Sequence, residues 1–374
     1  MSIQARQVTT TGRPQVAVVH DYLTQRGGAE RVVLSMLKAF DGAALHTSLY
    51  HPSGTFPAYS EVDVRVQVLN RVGLLRRHHR LALPVLAPAF SSRTVDAELA
   101  LCSSSGWAHG IRSTGRKVVY CYSPARWLYQ QDRYLNRGPS IQNAAARALR
   151  APLKHWDRRA AGTADRYIAI SRMVRDQIWT LYGHDAEVLG APVTIDVGGS
   201  RTPVAGLDPG YFLCVSRLLP YKNVGAVVEA FGALPHLRLV VVGSGPLAAT
   251  LRAGASPNVT LTGSVPDSEL RWLYANCEGF VAASFEDYGL TPLEGAAFGK
   301  PTAALRWGGF LDTVVEGSTG HFFDEPTAAQ VAGAVLALRS GHWRAETLRA
   351  HAAGFNEERF IARLRAIIAE ELDS

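Results

Sequence analysis

Apolar positions along this chain cluster in short β-branched runs that alternate with stretches of helical spacing. Residues 15–19 follow a proline and read as a short buried strand, ended by His20 and Asp21. Gly27 and Gly28 then open a helical stretch with Val32, Val33, Met36, Leu37 and Phe40 on one face. Strand, glycine turn and helix make the opening of a βαβ layer. Further strands are predicted at 97–102, 117–122 and Arg166–Ala169, and a helix over 142–162. The second half alternates more regularly. Strands are predicted at Tyr211–Val215, 237–242, 259–261, 280–283 and Thr302–Leu305. Helices are predicted at 224–231, 247–253, 266–276 and 291–298, and the tail 356–372 reads as a helix. Such alternation predicts a doubly wound parallel sheet, whose ligands sit beyond the carboxyl ends of the strands. Residues 1–14 are polar and expected to fray, and 190–210, rich in Gly, Pro and small polar residues, is the expected linker.

Composition narrows the class. A chain of 374 residues is long enough for two or three domains. Hydrophobic residues are 47% and charged residues 19%, the balance of a globular enzyme. The net charge of +7 favours anionic partners without naming one. Cys102, Cys121, Cys214 and Cys277 lie far apart with no CxxC, which argues against a zinc ribbon or disulfide framework and fits a reducing compartment. The longest apolar stretch, residues 81–90, is broken by Pro84 and Pro88 and is too short to span a bilayer, and no secretory signal is expected at the start.

The most informative segment is SFEDYGLTPLEGAAFGKP, residues 284–301. Thr291, Pro292 and Glu294 fit a helix start with Thr at N-cap, which would make Glu294 a capping partner. Alternatively, Gly289 lets the backbone approach a ligand. The helix amino end then receives phosphate oxygens, and Glu286 and Glu294 accept hydrogen bonds from flanking sugar hydroxyls. In VSRLLPYKN, residues 215–223, Arg217 and Lys222 are either solvated loop charges or a diphosphate clamp at a strand's carboxyl end. Each charge-assisted hydrogen bond there would be worth roughly 1.5–3 kcal/mol. Gly27 and Gly28 lie where phosphate loops lie, and His109 follows a predicted strand in SSSGWAHG. VVGSGP, residues 241–246, imitates part of a dinucleotide fingerprint and reads as a turn near a nucleotide base. No DxD occurs, so counter-charge for a diphosphate falls to Arg217, Lys222 and helix ends, with no metal expected.

These segments, with GGFLDTV at 308–314 and CYSPARWLY at 121–129, resemble the GT-B glycosyltransferases of family four, a retaining group. The resemblance follows the chain in order and is greatest to bacterial mannosyltransferase-like enzymes of surface polysaccharide and glycolipid assembly. It implies an α/β chain of two Rossmann-like domains facing a cleft, with the last helix crossing back to the first. The first domain, 15–192 completed by 356–374, would bind the acceptor, and the second, 206–355, the nucleotide sugar. By the same resemblance Arg217 and Lys222 hold the diphosphate and Glu294 the ribose hydroxyls. Glu286 takes a hydroxyl of the transferred sugar. Backbone at Gly289, Leu290 and Thr291 contacts phosphate or sugar, Gly28 lines the diphosphate, and His109 sits by the anomeric centre. Asp312 stands where relatives usually carry Glu, and Tyr288 where Phe is common. The implied co-substrate is GDP-mannose, with UDP- or dTDP-sugars as alternatives, and no cofactor is implied.

Residues 69–90 mix Arg71, Arg76, Arg77 and Arg80 with leucines. They read either as a solvated helix face or as a basic, apolar surface for anionic lipid. The second reading predicts a cytoplasmic protein, peripheral on the inner face of the cell membrane, with a lipid-linked or polysaccharide acceptor. A small soluble acceptor, or an epimerase or phosphorylase on the same fold, is the competing expectation. The basic residues are not interleaved with aromatics, so nucleic acid is not expected.

Overall fold

A computed structural model describes residues 15–130 and 141–374. Its strands are β1 (Val16–His20), β2 (Leu45–Thr47), β3 (Val64–Val66), β4 (Thr94–Val95), β5 (Leu99–Ser104), β6 (Arg112–Ser113), β7 (Arg116–Cys121), β8 (Arg166–Ala169) and β9 (Ala186–Val188). They continue with β10 (Tyr211–Val215), β11 (Leu239–Val242), β12 (Val259–Gly263), β13 (Cys277–Ala282), β14 (Thr302–Leu305) and β15 (Gly320–Phe323). Among the described residues the first sheet runs β3-β2-β1-β5-β7-β8-β9 and the second β12-β11-β10-β13-β14-β15, while β4 and β6 form a small pair. β1 lies parallel to β2 and β5, with Val18 opposite Leu45 and Leu101. Every neighbouring pair in the second sheet is parallel. This is an α/β chain with parallel sheets in two domains, as the alternation predicts.

By contacts, the described parts of Met1–Tyr120, Ala151–Tyr167 and Arg365–Ser374 make one compact unit, and those of Cys121–Arg150 and Ile168–Leu364 the other. In the first unit, helix Gly28–Ala39 buries Val32, Val33 and Met36. The end of the last helix, Glu357–Leu372, belongs to this unit, where Arg365 Nε donates to the Ala39 carbonyl at 2.7 Å.

The inner strands β10, β11 and β14 of the second sheet are buried because they are almost wholly apolar. Alternation sorts their side chains. Phe212, Cys214, Leu239 and Val241 join one core, with Val227, Phe231, Val331 and Val335 from helices Val224–Gly232 and Ala328–Ser340. Tyr211, Leu213, Val240 and Val242 join another, with Leu273 and Tyr274 of helix Asp267–Asn276. From β10 the chain steps outward through β11 to β12, then returns to β13 on the other side of β10. The loops leaving β10 and β13 therefore diverge at a topological switch point, where a crevice opens.

Candidate functional site

The loop after β10 turns sharply. Pro220–Lys222 forms one 3-10 turn, and Asn223 takes the left-handed conformation at φ 53° before helix Val224–Gly232. Asn tolerates that region better than most residues. Its Nδ2 donates to the Ala283 carbonyl at 2.9 Å, and Phe285 N donates to the Tyr221 carbonyl at 3.2 Å. These bonds lace the β10 loop to the β13 loop and direct Lys222 Nζ onto Glu286 Oε1. Ser284 Oγ donates to the same oxygen at 3.3 Å. Burial pushes the Glu286 carboxyl up, but Lys222, Arg126 and Arg217 outweigh it and hold it below the usual carboxylate range. Arg217 is exposed, with Nη2 3.2 Å from Tyr221 Oη.

Gly289, at φ 99°, ends the β13 loop and is the N-cap of helix Leu290–Ala297, with no capping side chain. The expectation of Thr291 at N-cap and Glu294 at N3 is thereby corrected. The left-handed glycine turns the chain into the helix two residues earlier, so Thr291 lies in the first turn and Glu294 beyond it. Pro292 falls within the first turn, where its missing N–H breaks no helical bond. Glu294 Oε2 instead accepts from Tyr274 Oη at 2.7 Å. Tyr274 is packed in the core with Phe280 and Phe298 at ring separations of 4.8 and 5.4 Å. Of the GG pair, Gly309 N donates to the Glu286 carbonyl at 2.9 Å. Asp312 pairs with Arg172, and Tyr288 Oη donates to the Ala191 carbonyl at 2.8 Å. The GSGP turn follows β11, where Leu218 N donates to the Ser244 carbonyl at 2.9 Å.

The second unit thus gathers Arg217, Lys222, Glu286, Gly289, Leu290, Thr291 and Glu294 around the carboxyl ends of β10 and β13. Sequence reasoning missed Asn223, Ser284, Tyr274 and the ion pair of Arg126 with Asp287. The Asn of PYKN, a left-handed residue directly before a helix, carried the one usable signal. Chemically, two cations and an uncapped helix amino end suit an anion, and two carboxylates beside them suit hydroxyls. Among the described residues no three His, Cys, Asp or Glu side chains gather as metal ligands would.

The first unit holds Gly28 and His109. Gly28 is exposed at the first position of its helix. His109 is buried, with Nδ1 3.1 Å from Ser104 Oγ and Nε2 3.2 Å from Asp157 Oδ1. Asp21, at the carboxyl end of β1, accepts from Ser105 N at 2.7 Å and Ala108 N at 2.6 Å and so fixes the turn that carries His109. Burial pushes the Asp21 carboxyl up to about 6. Of the basic stretch, Arg71 and Arg77 are exposed and Arg76 half-buried, and the Arg80 side chain lies outside the described residues.

Residues 202–352 match the family model for glycosyl transferases group 1. A Mycolicibacterium smegmatis GDP-mannose-dependent alpha-(1-6)-phosphatidylinositol monomannoside mannosyltransferase is 29% identical over 218 residues, 51% of this chain and 57% of that protein. A Corynebacterium glutamicum GDP-mannose-dependent alpha-mannosyltransferase is 34% identical over 111 residues, 29% of this chain and 26% of that protein. The aligned stretches thus span little more than half of the first relative and less of the second. Anabaena HepE in complex with UDP-glucose superposes with a TM-score of 0.70 at 17% identity, covering 96% of this chain and 99% of that one. This chain has the GT-B fold of glycosyltransferases and carries a group 1 glycosyltransferase domain. The GT-B switch point in that domain is the crevice between β10 and β13 described above.

Proposed function

We propose that this chain is a retaining glycosyltransferase that moves a hexose, mannose for preference, from a nucleoside diphosphate to a hydroxyl of a lipid-linked or polysaccharide acceptor. The observation that carries this reading is the gathering of Arg217, Lys222, Glu286 and Glu294 at the switch point of a group 1 domain. The GDP-mannose dependence and the phosphatidylinositol mannoside named for the first relative support the donor and the lipid acceptor.

In this reading the bond from the anomeric carbon to the diphosphate oxygen breaks, and a bond to the acceptor oxygen forms on the same face. The acceptor proton passes to the departing diphosphate. Arg217, Lys222 and the N–H groups at the start of helix Leu290–Ala297 stabilise the charge that develops on that leaving group. Lys222 is preset by its contact with Glu286, which is freed to meet a sugar hydroxyl once the ammonium turns to phosphate. Glu294, held by Tyr274, accepts from ribose hydroxyls. No divalent ion is required, because the cations are side chains.

The basic stretch supplies the acceptor surface. Five of the nine exposed large apolar side chains among the described residues, Val68, Val72, Leu74, Leu81 and Val85, fall within 68–85. Val68 is 71% and Leu74 58% exposed. Interleaved with Arg71, Arg76 and Arg77, they form a surface suited to lie on anionic lipid, each Arg adding about 1 kcal/mol. No helix among the described residues is long and apolar enough to cross a membrane. We place the protein in the cytoplasm, peripheral on the inner face of the cell membrane.

Two experiments test this reading. A thermal-shift screen against GDP, UDP, dTDP and ADP should show stabilisation by one of them, about 2.7 kcal/mol at 100 times its Kd; stabilisation by none would contradict it. Co-sedimentation should capture the protein on anionic vesicles and not on neutral ones. Equal binding to both, or none to either, would remove the lipid surface and leave a small soluble acceptor.

A further inference from the structure

We infer that Arg126 is a positioning residue for the donor loop, acting through Asp287. Arg126 opens the short helix Arg126–Tyr129, far outside the group 1 domain match but within the same compact unit as the β13 loop. Its Nε meets Asp287 Oδ2. The Asp287 side chain is only 1% exposed, against 26% for Arg126. Asp287 directly follows Glu286, so two consecutive carboxylates are each matched by a cation from a different part of the chain. A carboxylate this deeply buried is tolerated as an anion only beside its counter-ion. Burial holds the Asp287 carboxyl above the usual carboxylate range, and Arg126 and a hydrogen bond from Ser123 pull it only part of the way back.

Without Arg126, an ionised Asp287 leaves the β13 loop with one uncompensated negative charge next to Glu286, beside the proposed diphosphate site. The loop then repels its ligand or shifts to expose Asp287. Arg126 therefore sets both the charge and the shape of the loop that presents Glu286, without touching the ligand. This inference rests on the nucleotide-sugar reading of the crevice.

The test is calorimetric titration with whichever of GDP, UDP, dTDP and ADP the wild type binds, on Arg126→Ala, Asp287→Asn and the double variant, between pH 5.5 and 8.5. Arg126→Ala should weaken binding about tenfold or more at pH 8. The defect should shrink as pH falls and Asp287 takes up a proton. The double variant should recover to the level of Asp287→Asn and lose that pH dependence. Wild-type affinity in Arg126→Ala would overturn the inference. So would a double variant as weak as Arg126→Ala, since the guanidinium would then be meeting the phosphates itself. If Arg126→Ala does not fold, Arg126→Gln with and without Asp287→Asn carries the same comparison. Failure of the wild type to bind any of the four nucleotides would instead refute the nucleotide-sugar reading.

Discussion

Replacing Lys222 by alanine should separate the two tasks assigned to its ammonium group. Nζ meets Glu286 Oε1, with the Lys side chain 9% and the Glu side chain 23% exposed. Removing one partner of a fully buried pair costs about 3–5 kcal/mol. Water reaches part of Glu286, and Ser284 Oγ remains 3.3 Å from the same oxygen. The loss of folding stability should therefore be smaller, about 1–2 kcal/mol. The effect on ligand has another origin. A charge-assisted hydrogen bond to phosphate is worth about 1.5–3 kcal/mol, so Lys222→Ala should weaken the nucleoside diphosphate roughly 10- to 150-fold. Adding Glu286→Gln distinguishes the two effects. It removes the unpaired carboxylate, so stability should return toward wild type. It does not restore the cation, so binding should stay weak. A nucleoside diphosphate is the proper probe because it lacks the sugar that Glu286 is assigned to read. Urea unfolding and calorimetric titration, run with excess chelator, measure the two quantities separately. Binding by the double variant within about twofold of wild type would refute a phosphate role for Lys222.

Other outcomes follow from the same geometry. Tyr274→Phe keeps the ring packing on Phe280 and Phe298 but removes the donor to Glu294. It should weaken nucleoside diphosphate binding about tenfold with little change in the urea midpoint, and unchanged affinity would contradict the ribose role of Glu294. Gly289→Ala forces a Cβ to 2.5 Å from Phe310 Cδ1 at a φ of 99°, and should cost about 2–4 kcal/mol of stability in urea unfolding. Burial lowers His20 from 6.5 to about 4, so the stability from keeping it neutral is present above pH 6.5 and lost as pH falls toward 4. Burial raises Asp21 from 3.8 to about 6, so its contribution is present below pH 3.8 and lost as pH rises through 6. Between pH 4 and 6 the two oppose each other. His20→Gln should lower the slope of stability against pH by about one proton and Asp21→Asn raise it by about one, read from urea midpoints; an unchanged slope in either variant would contradict the assignment.

Strands that lie between two layers of helices announced themselves most clearly. Tyr211–Val215, Arg166–Ala169 and Thr302–Leu305 occur with the bounds that their short, mainly apolar runs predict. The three-residue strands β2, β3 and β9 did not, because runs such as Leu45–Thr47 are too short for any period to emerge. Helix Arg172–Tyr182 carries end signals in its sequence. Ser171 caps it by accepting from Val174 N at 3.2 Å, and Gly183 ends it at φ 72°. Thr327 likewise caps the helix Ala328–Ser340. The Arg217, Lys222, Glu286 and Glu294 constellation could be read from local segments, since each lies just past a strand. The contacts of Arg126 and Tyr274 could not. Arg126 and Asp287 are 161 positions apart, and only the folded sheet brings them together.

In the proposed reading, side-chain cations and a helix amino end at the switch point hold the diphosphate without a divalent ion. A crystal structure of the protein soaked with an intact nucleotide sugar in the presence of chelator tests this arrangement. Phosphate oxygens should lie within hydrogen-bond distance of Arg217, Lys222 and the backbone N–H groups of Leu290 and Thr291, with the ribose against Glu294. Phosphates bound elsewhere, or no bound nucleotide until a divalent metal is supplied, would contradict it.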